Sequence, residues 1–132
     1  MTQANQNTNA TAETAKGNES LRAAEELLRL GLHNDAVSCA YFAAYHWARA
    51  LLFTQGIERK THQGTAQLLG KYFIQTKQLP PEAMTLLKQL AGQREASDYT
   101  ASTRFTSEET IEIIRQANAF IALCRPLLTV HC

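Results

Sequence analysis

Arg94, Asp98 and Tyr99 are the tightest grouping of chemically capable side chains in the sequence. A guanidinium presents a planar fork of donors that can hold a phosphate through two parallel hydrogen bonds. A carboxylate four residues further on, one helical turn away, could orient that fork. The neighbouring phenol offers a hydroxyl and a stacking ring. The plainer reading of the same residues is an Arg94–Asp98 ion pair closing a helix, with Tyr99 covering the end of the fold.

Two further groups carry polar chemistry. Tyr41, Tyr45, His46 and Arg49 fall at spacings of three and four in an otherwise apolar segment. Buried polar groups need partners, because an unpaired one costs a few kcal/mol. These four could therefore line a polar pocket, or they could direct their tips to the surface. Glu58-Arg59-Lys60-Thr61-His62 places cations beside a predicted helix start. That is either a modest anion site, with Lys60 and His62 as contacts, or a solvated connector capped by Thr61.

Other chemistries lack support. The four histidines and three cysteines show no metal-ligand spacing, so neither a metal nor another cofactor is expected. Gly64 and Gly70 lack the lysine pattern of a phosphate loop, and no nucleophile elbow is present.

The elements that must position these groups are helical, because apolar residues recur with a period near 3.6. One helix is expected from Asn18–Ser20 to Leu30, stopped by Gly31, and a second from Asn34 or Asp35 to Gln55, stopped by Gly56. The second is apolar on nearly every side and has five alanines between residues 36 and 48, which suits the centre of a bundle. A third helix follows Thr61, a fourth begins at Pro81, and a fifth begins at Thr106 or Ser107 with a capping-box pattern. Ile111, Ile114, Ala117, Ile121 and Cys124 are its expected core stripe, and Pro126 its expected end. The fold class is all-α, an up-and-down antiparallel bundle of four to five helices.

At 132 residues and 45% hydrophobic content, the chain is one domain with enough apolar surface for a core. Residues 1–17 are rich in Asn, Gln, Thr and Ala and are expected to form a disordered tail. The bundle is expected over 18–127, with a frayed tail at 128–132. A net charge of +1 gives no global attraction for nucleic acid, so RNA contact would need a local cluster or an oligomer. No apolar run of about 18 residues is present, so no membrane span is expected. No export signal is visible either, and the cytoplasm is the expected compartment.

Together these segments resemble a known family. Tyr41-Phe-Ala-Ala-Tyr45-His46-Trp-Ala-Arg49-Ala-Leu-Leu is similar to the second-helix signature of small prokaryotic HEPN proteins (higher eukaryotes and prokaryotes nucleotide-binding), in their nucleotidyltransferase-associated branch. Gly56-Ile57, Lys60-Thr61-His62-Gln-Gly64, Gly70-Lys-Tyr-Phe73, Leu79-Pro80, Arg94-x-x-x-Asp98-Tyr99 and Phe105-x-x-Glu-Glu109 follow in family order, so the resemblance covers about residues 20–125.

The resemblance implies a helical bundle, usually a homodimer, often encoded beside a minimal nucleotidyltransferase in a two-component toxin–antitoxin-like module. Many members are metal-independent ribonucleases whose motif is an arginine followed four to six residues later by a histidine. Arg94 matches the arginine, but Tyr99 stands five residues on and no histidine follows within reach. An unperturbed tyrosine titrates near pH 10, far from the range in which a histidine exchanges protons. A shuttle through His62 or His46 would have to be brought in by the fold or by a dimer. The resemblance thus favours binding of nucleotide or RNA over standard ribonuclease catalysis, with Arg94 gripping phosphate, Asp98 orienting it and Tyr99 stacking. Tyr41, Tyr45 and His46 would form the adjoining wall, and Tyr99 is the candidate for modification by AMP. The alternative is a ribonuclease toxin using Arg94 with Tyr99.

Overall fold

The computed structural model describes residues 2–58, 61–99 and 102–129, without the side chains of Tyr99 and Thr129. Lys60, the Tyr99 side chain and residues 130–132 of the expected frayed tail lie outside the described residues. In chain order the elements are α1 (Gln3–Arg29), α2 (His33–Thr54), α3 (His62–Leu69), a π-helical turn (Gly70–Ile74), α4 (Pro81–Tyr99) and α5 (Ser107–Thr129). Among the described residues there is no strand, and the all-α bundle is as the sequence predicts.

The helix boundaries follow local chemistry. Gly31 and Gly56 each adopt positive φ, 79° and 73°, just beyond α1 and α2. Gly31 N–H donates to Leu28 and Leu32 N–H to Leu27; Gly56 and Ile57 repeat the pattern on Phe53 and Leu52. These are two Schellman caps, which satisfy carbonyls that the helix end would otherwise leave unpaired. Thr61 caps α3 by accepting from Gly64 N–H at 3.0 Å. At α5, Thr106 Oγ1 accepts from Glu109 N–H at 3.1 Å while Glu109 Oε1 accepts from Thr106 N–H at 2.8 Å. The expected capping box is therefore formed.

Helix α2 is the axis of the bundle and packs against α1, α3, α4 and α5. Ala36, Ala40, Ala43, Ala44 and Ala48 are fully buried, so neighbouring helices approach it at methyl-group distance. Leu51, Leu52, Phe73, Leu79, Leu90, Phe120 and Ile121 fill the remaining core.

Three expectations are corrected. Residues 3–17 are not a disordered tail; they are the first half of α1, which at about 1.5 Å per residue runs about 40 Å. The partners that order this segment lie on α2 and are invisible in its own composition. Ala10 packs with Ala50 and Phe53, and Gly17 lies against Trp47, where a Cβ would sit 2.6 Å from Cδ1. Thr2 caps the start, accepting from Asn5 N–H at 3.1 Å. Second, Pro126 does not end α5, which continues to Thr129. It sits in the last turn, and Leu127 and Leu128 beyond it still pack on the core. Third, the α5 stripe is broader than expected: Ile114, Ala117, Ile121 and Cys124 are buried as expected, Thr110, Ile113 and Phe120 join them, and Ile111 is 53% exposed. Thr110 tolerates this because its hydroxyl donates to Thr106 C=O at 2.8 Å.

Candidate functional site

The polar groups gather along one stripe of α2 that runs between α1 on one side and α3 and α4 on the other. Asp35, Ser38, Phe42, Tyr45 and Arg49 recur at intervals of three and four, so they share one face of the helix. Two lobes of side chains lie along it.

The first lobe is built around Arg94. Its Nε donates to Asp98 Oδ2 at 2.8 Å, the (i, i+4) contact expected on α4. Ser38 Oγ, from α2, donates a short hydrogen bond to the other oxygen of Asp98. One turn of α4 is thereby tied to α2, and Ser97 adds a second tie by donating to Asn34 C=O at 2.6 Å. The Arg94 guanidinium lies over the Phe42 and Tyr41 rings, 5.1 and 5.8 Å from their centroids. One edge is fixed by a carboxylate and one face by aromatic rings, and the side chain remains 21% exposed. Such a group is oriented before any ligand arrives, which reduces the entropy lost on binding.

His62 joins this lobe from the first residue of α3. Its Nδ1 lies 2.7 Å from the Tyr41 hydroxyl, and its ring centroid is 4.2 Å from that of Tyr45. Burial lowers the proton affinity of His62, and the neighbouring Arg94, His46 and Arg49 lower it further. The imidazole is therefore neutral near pH 7. Burial, with Tyr45 beside it, raises the Tyr41 phenol to about 12 against the opposing pull of Arg94, so it keeps its proton.

The second lobe lies further along the same stripe. His46 Nδ1 is 2.7 Å from Glu13 Oε2. Arg49 approaches Glu13 at 3.5 Å and Glu58 at 3.7 Å while lying over Tyr45 and Phe53 at 5.8 and 5.4 Å. Burial opposes ionisation of Glu13, but the hydrogen bond from His46 and the charge of Arg49 prevail and hold its carboxyl below the usual range. Tyr45 joins the lobes, touching His62, His46 and Arg49.

Of the residues predicted from sequence, Arg94, Asp98, Tyr41, Tyr45, His46 and His62 come together in this cluster. Lys60 and the Tyr99 side chain lie outside the described residues. Ser38, Phe42 and Glu13 were not anticipated. The three-and-four spacing of Ser38 and Phe42 with Tyr45 and Arg49 was the available signal; nothing in the sequence pointed to Glu13. A groove of about 290 Å³ between α1 and α2, lined by Lys16, Glu19, Ser20, Ala23, Cys39 and His46, borders the second lobe. A larger groove of about 470 Å³ between α3 and α4 contains none of these site residues. Among the described residues, no three metal-ligating side chains converge, and no helix is long and apolar enough to cross a membrane.

The order of elements and the position of the arginine invite comparison with known proteins, and the model of the HEPN domain matches residues 13–127. The chain belongs to the HEPN family. A HEPN relative from Methanocaldococcus jannaschii, named "Putative toxin MJ0605", is 34% identical over 103 residues, covering 78% of this chain and 76% of its own. A second from the same organism, "Putative toxin MJ0142", is 29% identical over 106 residues, covering 80% of this chain and 72% of its own. The crystal structure of the archaeal HEPN homologue ST0689 superposes with a TM-score of 0.72 at 18% identity. It covers 90% of this chain and 97% of its own, a likeness of fold.

Proposed function

We propose that this HEPN protein is the phosphate-gripping subunit of a two-component toxin–antitoxin-like module, holding nucleotide or RNA at Arg94. The observation that carries the reading is the preset guanidinium, fixed at Nε by Asp98 and on its face by Phe42. Asp98 orients Arg94 and is itself held by Ser38. Tyr41, Tyr45, His46 and His62 form the wall, and Tyr99 follows on the same helix. The relatives' names favour a toxin-type role. A homodimer and a minimal nucleotidyltransferase are the partners that this reading takes from the family resemblance, with Tyr99 as the residue accepting AMP.

A second reading, a metal-independent ribonuclease, gains support from one contact. His62 stands in the aromatic cluster on which Arg94 lies, through Tyr41 and Phe42. It could supply the imidazole that the position of Tyr99 lacks.

One experiment addresses both readings: fluorescence anisotropy with single-stranded RNA, followed by gel analysis of the same mixtures in chelator. Arg94→Ala is expected to weaken binding by about 10–100-fold, the loss of a charge-assisted contact of roughly 1.5–3 kcal/mol. Equal binding by wild type and mutant would remove the phosphate-gripping reading. Intact RNA favours the binding subunit, and cleavage abolished by both Arg94→Ala and His62→Gln favours the ribonuclease.

A further inference from the structure

The Glu13 carboxylate is an anion enclosed among cations on the face of α2 that also carries the Arg94 lobe. We propose that Glu13 occupies from within a second phosphate site, formed by Arg49 and His46, and that residues 3–16 of α1 swing away when a single strand of nucleic acid held at Arg94 places a further phosphate there. The inference rests on the phosphate-gripping reading of Arg94 given above.

Three observations carry it. The first is incomplete pairing of Arg49. Its contacts to Glu13 and Glu58 are 3.5 and 3.7 Å, longer than the roughly 2.7–2.9 Å of a well-formed charge-assisted bond. Its Nε is buried with no hydrogen-bond partner. The guanidinium is nonetheless positioned, over Tyr45 and Phe53, as a fork awaiting a better-matched oxyanion would be.

The second is how little apolar surface the covering segment buries. Between Gln3 and Lys16 only Ala10 is buried, and most of the other side chains are Asn, Gln, Thr or Ala. Gly17, where this segment joins the rest of α1, is a natural break because glycine lowers helix stability by roughly 0.5–1 kcal/mol. The family match begins at Glu13, so the residues before it lie outside the shared domain.

The third is alignment. Phe42, under Arg94, and Arg49 are seven residues apart on α2, about 10 Å at 1.5 Å per residue. The phosphates of one nucleotide cannot bridge that distance, whereas a strand of several nucleotides can. Tyr45 and His62 lie between the two cations, with Tyr45 buried and the partly exposed His62 ring as the surface on which a base can stack.

The test uses the full chain, a short single-stranded oligoribonucleotide and ATP. Glu13→Gln should bind the oligonucleotide several-fold more tightly than wild type. It should also steepen the dependence of log K on log salt by about 0.7, the increment for one more phosphate contact on a single strand. Arg49→Ala added to Glu13→Gln should cancel both gains, and ATP affinity should be unmoved by Glu13→Gln. Hydrogen exchange on the wild type, which needs no variant to fold, should show amides 3–16 losing protection when the oligonucleotide binds. Unchanged affinity and slope in Glu13→Gln, or unchanged protection over 3–16, overturns the inference. If Arg94→Ala still weakens binding, the Arg94 reading survives that result; if Arg94→Ala has no effect, the reading itself has failed.

Discussion

A neutral imidazole held against a phenol has a measurable acid signature. The folded-state proton affinity of His62 lies below the ordinary imidazole value of 6.5. As pH falls below that value, the unfolded chain takes up the proton before the folded one does, so stability is whole above it and lost as pH drops through the folded value. Glu13, also lowered, adds a loss of the same sign at more acidic pH, beginning below 4.5. The melting temperature should therefore fall from pH 7 to pH 5, and His62→Gln should flatten that fall. A variant that declines as steeply as wild type would show that His62 is not neutral in the fold. Arg94 and Asp98 were legible as a pair because both lie on one helix, where spacing dictates proximity. The Tyr41–His62 contact was not, because it crosses 21 residues and depends on how the chain turns after Gly56 and re-enters at Thr61.

At the scale of elements, α1 is pressed against α2 at Gly17. An added methyl at Gly17 would sit 2.6 Å from Trp47 Cδ1 and 3.0 Å from the Ala43 carbonyl oxygen. Gly17→Ala should thus destabilise the fold by about 1–3 kcal/mol, although alanine favours helix intrinsically. The measurement is the denaturant midpoint. A stabilised variant would mean that α1 can draw away from Trp47 without cost. Caps were legible because each is written within a few residues: Gly31, Gly56, Thr61 and the Thr106–Glu109 pair all act where the sequence places them. The first half of α1 was not, because low apolar content describes the segment and says nothing of its partners. A single alanine, a glycine and a glutamate find Phe53, Trp47 and Arg49 on a different helix. The place of Thr110 on the α5 core face was not legible for a similar reason, since a threonine whose hydroxyl bonds back within its own helix turn counts as apolar inward.

For the whole molecule, the all-α architecture was readable because hydrophobic periodicity is a global property that no single contact can override. Assembly belongs to this scale. Co-expressed with a minimal nucleotidyltransferase, the protein should co-elute with it in size-exclusion chromatography if the proposed partnership holds. Supplied with ATP, it should gain the mass of one AMP group, and Tyr99→Phe should abolish the gain. Separate elution would confine the proposal to Arg94 and its ligand.

The fully buried alanines of α2 carry one more implication. They act as shims: the thinnest side chains with a Cβ set how closely the surrounding helices close on the axis, and hence how far apart α1, α3 and α4 stand across the polar stripe. Enlarging one of them would pry the walls apart by the thickness of a few methyl groups. The spacing of the residues around Arg94 could then be retuned from behind, with Arg94, Asp98 and their ring partners left as they are.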